Sequence, residues 1–175
     1  SADLIGSMLA DTVLERLGQL PVVLSPSLGV AQGTVDVPLQ RFSAADLTRA
    51  RKNMLLVDSR TLPFLDRVRA YATTAVEQRG GRTIAIEVQV FRLGPELAIV
   101  TLPGEVFVEL GLAIKQGSPF DTTLVIELTN DAPGYLPTTK AFAEGSYETV
   151  NSRIQPGGGE ATVRLAVRLL RELGE

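Results

Sequence analysis

The chain has 175 residues, 45% of them hydrophobic, with a mean hydropathy of +0.17, which is enough to bury one core. Its formal charge is -3, from 17 basic and 20 acidic residues, and the basic ones are scattered along the chain; this excludes a protein built to neutralise nucleic-acid phosphates. It holds no Cys and no His, so disulfides, thiolate metal sites and imidazole catalysis lie outside what these residues can do by themselves.

The longest apolar runs, 97–100 and 124–126, fall far short of the roughly 20 residues that cross a bilayer, so a soluble chain with no transmembrane segment is expected. It opens on Ser1 without a charged stretch leading into an apolar one, so no signal peptide is expected and the start reads as processed or truncated. Cys-free chains occur in the cytosol and among exported bacterial proteins, which leaves the compartment open. One α/β domain over 1–175 is expected, with 1–81 and 82–175 as subregions.

In chain order, Leu4, Ile5, Met8, Leu9, Val13 and Leu17 recur at three- and four-residue spacings, which predicts an amphipathic helix capped by Ser1 or Asp3. Residues 20–29 are punctuated by Pro and Gly and read as a connection. Val35, Val37 and Leu39 alternate with polar residues in a strand that Pro38 assigns to an edge. Ser43 and Asp46 form a capping box before a short helix. A longer helix is expected from about Thr61-Leu62-Pro63, with Leu62, Leu65, Val68, Ala72 and Val76 inside and Gly80-Gly81 as its stop.

Ile84, Ile86, Val88 and Val90 alternate with Ala85, Glu87, Gln89 and Phe91, the period of two of a sheet with one strongly apolar face. A turn at Leu93-Gly94-Pro95 leads to an antiparallel central strand over 96–102, then a helix over 105–115 and a third core strand over 122–128, a β-α-β unit. Residues 130–139 read as loop and 140–150 as helical turns. Pro156-Gly-Gly-Gly159 reads as a flexible joint before a terminal helix over 160–173, which carries Glu160/Arg164 and Arg168/Glu172 at four-residue spacing. The missing Lys-Ser/Thr excludes a phosphate loop there.

Two segments concentrate chemistry. Glu105 follows a buried strand within Leu102-Pro103-Gly104-Glu105; it is either an acidic residue favoured in a first helical turn, or a metal ligand or general base approached closely through Pro103-Gly104. Tyr135 lies in Asn130-Asp-Ala-Pro-Gly-Tyr135-Leu-Pro-Thr-Thr139 and is either a core-edge plug or part of a binding loop. Asn130, Asp131, Thr138, Thr139, Tyr147 and Glu148 make the region denser in polar groups than a connector needs, although Asn130 and Asp131 also suit turns.

These motifs, read in order through Ala98-Ile-Val-Thr-Leu-Pro-Gly-Glu105, the Tyr135 segment, Ala141-Phe-Ala-Glu-Gly-Ser-Tyr147-Glu148 and the closing Gly158-Gly-Glu-Ala, resemble the neutral/alkaline, non-lysosomal ceramidase family, especially its short bacterial members. The resemblance covers most of 82–175 and fits 1–81 loosely. It implies the C-terminal part of a larger ceramidase-like catalytic domain with a mixed sheet flanked by helices. It further implies a zinc amidase cleaving N-acylsphingosine or a related N-acyl lipid or amide, with Glu105 and Tyr135 as zinc ligands and Tyr147 beside the metal as a catalytic residue. The family's two zinc-binding histidines have no counterpart here, so the resemblance implies a missing N-terminal half that carries them. The chain alone is expected to bind zinc poorly and to be inactive. The rival reading is a non-catalytic binding or scaffold module that keeps the fold. If there is an acyl-chain groove near Tyr135, Leu136 and Phe142 are its candidate walls.

Overall fold

The computed structural model describes residues 1–20 and 27–175, so most of the connection expected over 20–29 lies outside the described residues. The alternating apolar pattern of the middle of the chain becomes a four-stranded mixed sheet. Its strands are β1 (Leu28–Pro38), β2 (Thr83–Leu93), β3 (Leu97–Thr101) and β5 (Thr122–Ile126), in the order β1-β2-β3-β5. β1 and β2 are antiparallel, as are β2 and β3, whereas β3 and β5 are parallel and joined through α4 (Val108–Gly117). Pro38 indeed sits on an edge strand and β3 is internal. β1 starts at Leu28, earlier than the alternation signals, because Gly29 and Gly33 interrupt it.

One sheet face carries Ile84, Ile86, Val88 and Val90, all essentially inaccessible; Val88 and Val90 pack with Leu165, Ala166, Leu169 and Leu170 of the C-terminal helix α7 (Gly158–Gly174), and Ile84 and Ile86 pack with Val37, Val76, Leu110 and Ile154. Arg92 fixes the far end of α7 by donating from Nη1 to the Leu173 carbonyl at 2.9 Å. The other face has no helical cover among the described residues. It sets Val30, Phe91, Ile99 and Leu124 in one cross-strand row, partly or fully exposed.

Helices α2 (Ala44–Met54) and α3 (Phe64–Arg79) pack together, tied by an Arg51–Glu77 ion pair, and the Ser43/Asp46 capping box forms as its sequence requires. α3 begins later than expected, with Pro63 rather than Thr61 at its N-cap; its buried residues are Ala70, Ala72, Thr73 and Val76, while Leu65 stays exposed. Helix α1 (Ala2–Leu17) forms on the Ser1 cap but buries none of its residues, so the apolar face read from the sequence is uncovered here.

Three further expectations change. The strand over 122–128 is shorter and lies at the sheet edge rather than in the core. The glycine run is a packed helix start: Gly158 and Gly159 are buried in the first turn of α7. A Cβ on Gly159 would stand 2.6 Å from Leu110 Cδ1 and 2.7 Å from the Pro137 carbonyl oxygen. Glu160 accepts from the Thr139 backbone N–H at 2.7 Å instead of pairing with Arg164, whereas the Arg168–Glu172 pair forms at 3.6 Å.

Candidate functional site

Glu105 does not open the helix. It belongs to a two-residue strand, β4 (Glu105–Val106), and α4 starts only at Val108, so the first-turn dipole reading of Glu105 falls away. β4 pairs in parallel with β6 (Tyr135–Leu136), and the register sets Glu105 directly opposite Tyr135. Residues thirty positions apart in the sequence thus become ladder neighbours whose side chains emerge on the same face.

Local chemistry explains the pairing. Gly104 turns with a positive φ of 75°, and its N–H donates to the Asp131 carbonyl at 3.2 Å. The Glu105 N–H then donates to the Gly134 carbonyl at 3.1 Å, and the Phe107 N–H to the Leu136 carbonyl at 3.2 Å. The close approach offered by Pro103-Gly104 therefore serves the Pro133-Gly134 backbone, and any side chain at position 104 would collide with it. Glu127 holds the other side of β4, accepting from the Val106 N–H at 2.6 Å, and Ser152 Oγ donates to the Tyr135 carbonyl at 2.9 Å.

Tyr147 completes the group from α6 (Tyr147–Asn151). Its ring meets that of Tyr135 edge-on at 5.8 Å and stacks on Phe64 at 5.6 Å, and its hydroxyl accepts from Asn151 Nδ2 at 3.2 Å. The structure therefore brings together Glu105, Tyr135 and Tyr147. The remaining polar residues of the region serve backbone geometry. Asn130 adopts a left-handed conformation at φ 65°, and Asp131 Oδ1 accepts from the Ala132 N–H. Thr138 caps α5 (Thr139–Glu144), and the Glu148 carboxylate is held below its ordinary range by the Ser146 hydroxyl at 2.6 Å.

Leu136 is 1% exposed and buried in the core, so it lines no acyl groove. Phe142 lines a cleft of about 410 Å³ between α2, α3 and the α5–α6 region, with Phe42, Asp46, Arg49 and Arg69 among its other walls. Sequence reasoning missed Phe64, Asn151, Ser152 and Glu127. Only Asn151 left a signal, four residues after Tyr147 on one helix face.

The Tyr135 phenol is pushed up from 10.0 to about 12, first by the neighbouring Glu105 carboxylate, then by burial and by the surrounding negative charge. The folded chain thus favours the neutral phenol. The stability from this contact is present below pH 10 and is lost as pH rises through about 12. Glu105→Gln removes the charge, and ultraviolet titration of phenolate absorbance, with Tyr135→Phe as reference, is expected to show this tyrosine return toward 10. An unchanged titration in the Gln variant would dissociate the two groups.

Two oxygen donors on one rigid ladder suit two corners of a tetrahedral metal site. Among the described residues no group of three His, Cys, Asp or Glu side chains comes together to hold an ion. The sequence matches no protein-family model and no curated protein. Among solved structures it is similar to neutral ceramidase from Pseudomonas aeruginosa, at 14% identity and a TM-score of 0.49, over 85% of this chain and 28% of that one. The chain thus spans little more than a quarter of the length of that solved relative, with 28% of it covered.

Proposed function

We propose that this chain is the C-terminal half of a zinc-dependent amide hydrolase that releases a fatty acid and a free amine from an N-acyl lipid or related amide. The observation that carries the reading is the β4–β6 register, which sets Glu105 beside Tyr135 with the Tyr147 ring against the pair. Glu105 and Tyr135 hold the metal in this reading, and two imidazoles from an N-terminal half supply the remaining donors, because zinc seldom rests on oxygen alone. Bound there, zinc supplies Lewis-acid polarisation of the amide carbonyl.

The chain's own residues then do the following. Glu105 sets its carboxylate in β4, directly opposite Tyr135. Tyr135 must give up its proton to act as a ligand, and with the phenol near 12 the histidine-free chain resists this. Tyr147, whose hydroxyl oxygen already accepts from Asn151, keeps its own proton to donate toward oxygen charge developing on the carbonyl.

The test is a polypeptide extended upstream of residue 1. The reading expects a histidine pair in that extension, retained zinc after dialysis, and amidase activity on N-acyl amines, with neither zinc nor activity in the 175-residue chain. An extension without such histidines, or a zinc-free extended protein, would turn the reading to the scaffold module.

A further inference from the structure

Natural sheets blunt their edges with Pro, Lys, charged side chains or glycine-kinked strands, because an unpaired strand is a template for another. β1 follows that rule through Gly29, Gly33, Asp36 and Pro38. β5 does not: Thr122-Thr-Leu-Val-Ile126 contains no charge, Pro or Gly, and its outer side pairs with no strand among the described residues. Apolar side chains flank this open edge on both faces of the sheet. Leu124 and Ile126 are 46% and 44% exposed on one side, and Val108 and Leu112 of α4 are 68% and 58% exposed on the other. Between α4 and β5 runs a groove of about 300 Å³ floored by Gly111 and Val125, with Lys115 near one end and Glu127 near the other.

The surface area agrees with a missing contact. The chain exposes 10998 Å² at 18.7 kDa. A compact monomer of that mass exposes about 8,300 Å², so the excess of roughly 2,700 Å² exceeds the ~800 Å² per partner of a standard interface. α1, the open sheet face and the surface left for the proposed N-terminal half hold part of the excess; at the β5 edge a backbone ladder and apolar side chains end together.

We propose that two copies of this chain pair antiparallel through β5 across a two-fold axis, forming a continuous eight-stranded sheet. Centred on Val125, the pairing sets Leu124 opposite Ile126 of the partner subunit and buries Val108 and Leu112 against their counterparts. Because α4 runs antiparallel to β5, it also brings Glu127 of each copy toward the partner's Lys115, so the groove is complementary to itself in charge. The two-fold closes the edge, which keeps the assembly at two.

Light scattering on the intact chain is expected to give twice 18.7 kDa. Leu124→Lys, and independently Leu112→Lys, should return it to monomer mass with unchanged far-UV circular dichroism. Val30→Lys, in the same open-face row as Leu124 but on the opposite edge, should leave the dimer intact. If Leu124→Lys fails to fold, the α4 variant decides. A monomer at every concentration, a dimer that survives the folded Lys variants, a dimer lost in Val30→Lys as well, or any larger assembly would overturn the edge pairing; the third of these would assign the contact to the open sheet face.

Discussion

Glu105→Gln in the histidine-bearing polypeptide is expected to lose its zinc on dialysis and to lower kcat/KM for amide cleavage by about two to three orders of magnitude, the scale of removing a main electrostatic contact from a hydrolase site. Gln keeps the size of the side chain and leaves the backbone bonds from Glu105 N–H and Phe107 N–H in place, so the ladder should persist. The loss then reports the charge and not the fold. Tyr135→Phe should match it in zinc content, since the ring still packs on Tyr147 while the phenolic oxygen is gone. Tyr147→Phe should instead keep the zinc and lose turnover, which separates a proton donor from a ligand. Metal analysis beside steady-state kinetics on the three variants checks the whole assignment, and normal zinc in Glu105→Gln would end it.

The second large effect is on stability. Gly104→Ala is expected to cost about 2–5 kcal/mol, the sum of a left-handed conformation forced on a residue with a Cβ and of overpacking. The new methyl would collide with the Gly134 carbonyl and lie 2.8 Å from Leu136 Cδ1 and 3.1 Å from Pro133 Cγ. Gly157→Ala is the control, because Gly157 also has a positive φ, 92°, in the left-handed region, with nothing within 4 Å of its Cβ position. It should lose only the conformational part, about 1 kcal/mol. Urea midpoints of the two variants separate strain from collision, and equal losses would show that the β4–β6 approach is looser than its geometry.

The difference between these glycines was not legible in the sequence, and it marks where reading from residues stops. Local rules worked where neighbours along the chain decide the outcome: the alternation of 84–91, the Ser43/Asp46 box, the Gly80 stop of α3 and the parallel β3–α4–β5 unit. They failed where a distant partner decides. Glu105 carries the spacing of a helix start, but the Gly134 carbonyl captures its N–H, and the Leu136 carbonyl that of Phe107, into a ladder. Pro156-Gly-Gly-Gly159 has the composition of a joint, but Val37, Ile154 and Leu110 press against its glycines. α1 has the pattern of a buried helix without a surface to meet. The candidate site was legible as one glutamate and two tyrosines in three segments; that Glu105 and Tyr135 are ladder neighbours, and that Phe64 and Asn151 hold Tyr147, followed only from the fold.

The two buried glycines of α7 limit how far the candidate site can move. Gly159 brings the helix backbone within a methyl's width of both Leu110 and the Pro137 carbonyl, and Gly158 does the same against Ile154 and Val37. Tyr135 lies two residues before Pro137, so the loop that presents the phenol is clamped between α4 and α7 with no room to slide. On the proposed reading, the loop is already ordered when the chain folds, so an ion or substrate bound there would cost little conformational entropy. Selectivity at the proposed site would then rest on geometric fit, with little capacity to adapt to ions or substrates of other sizes.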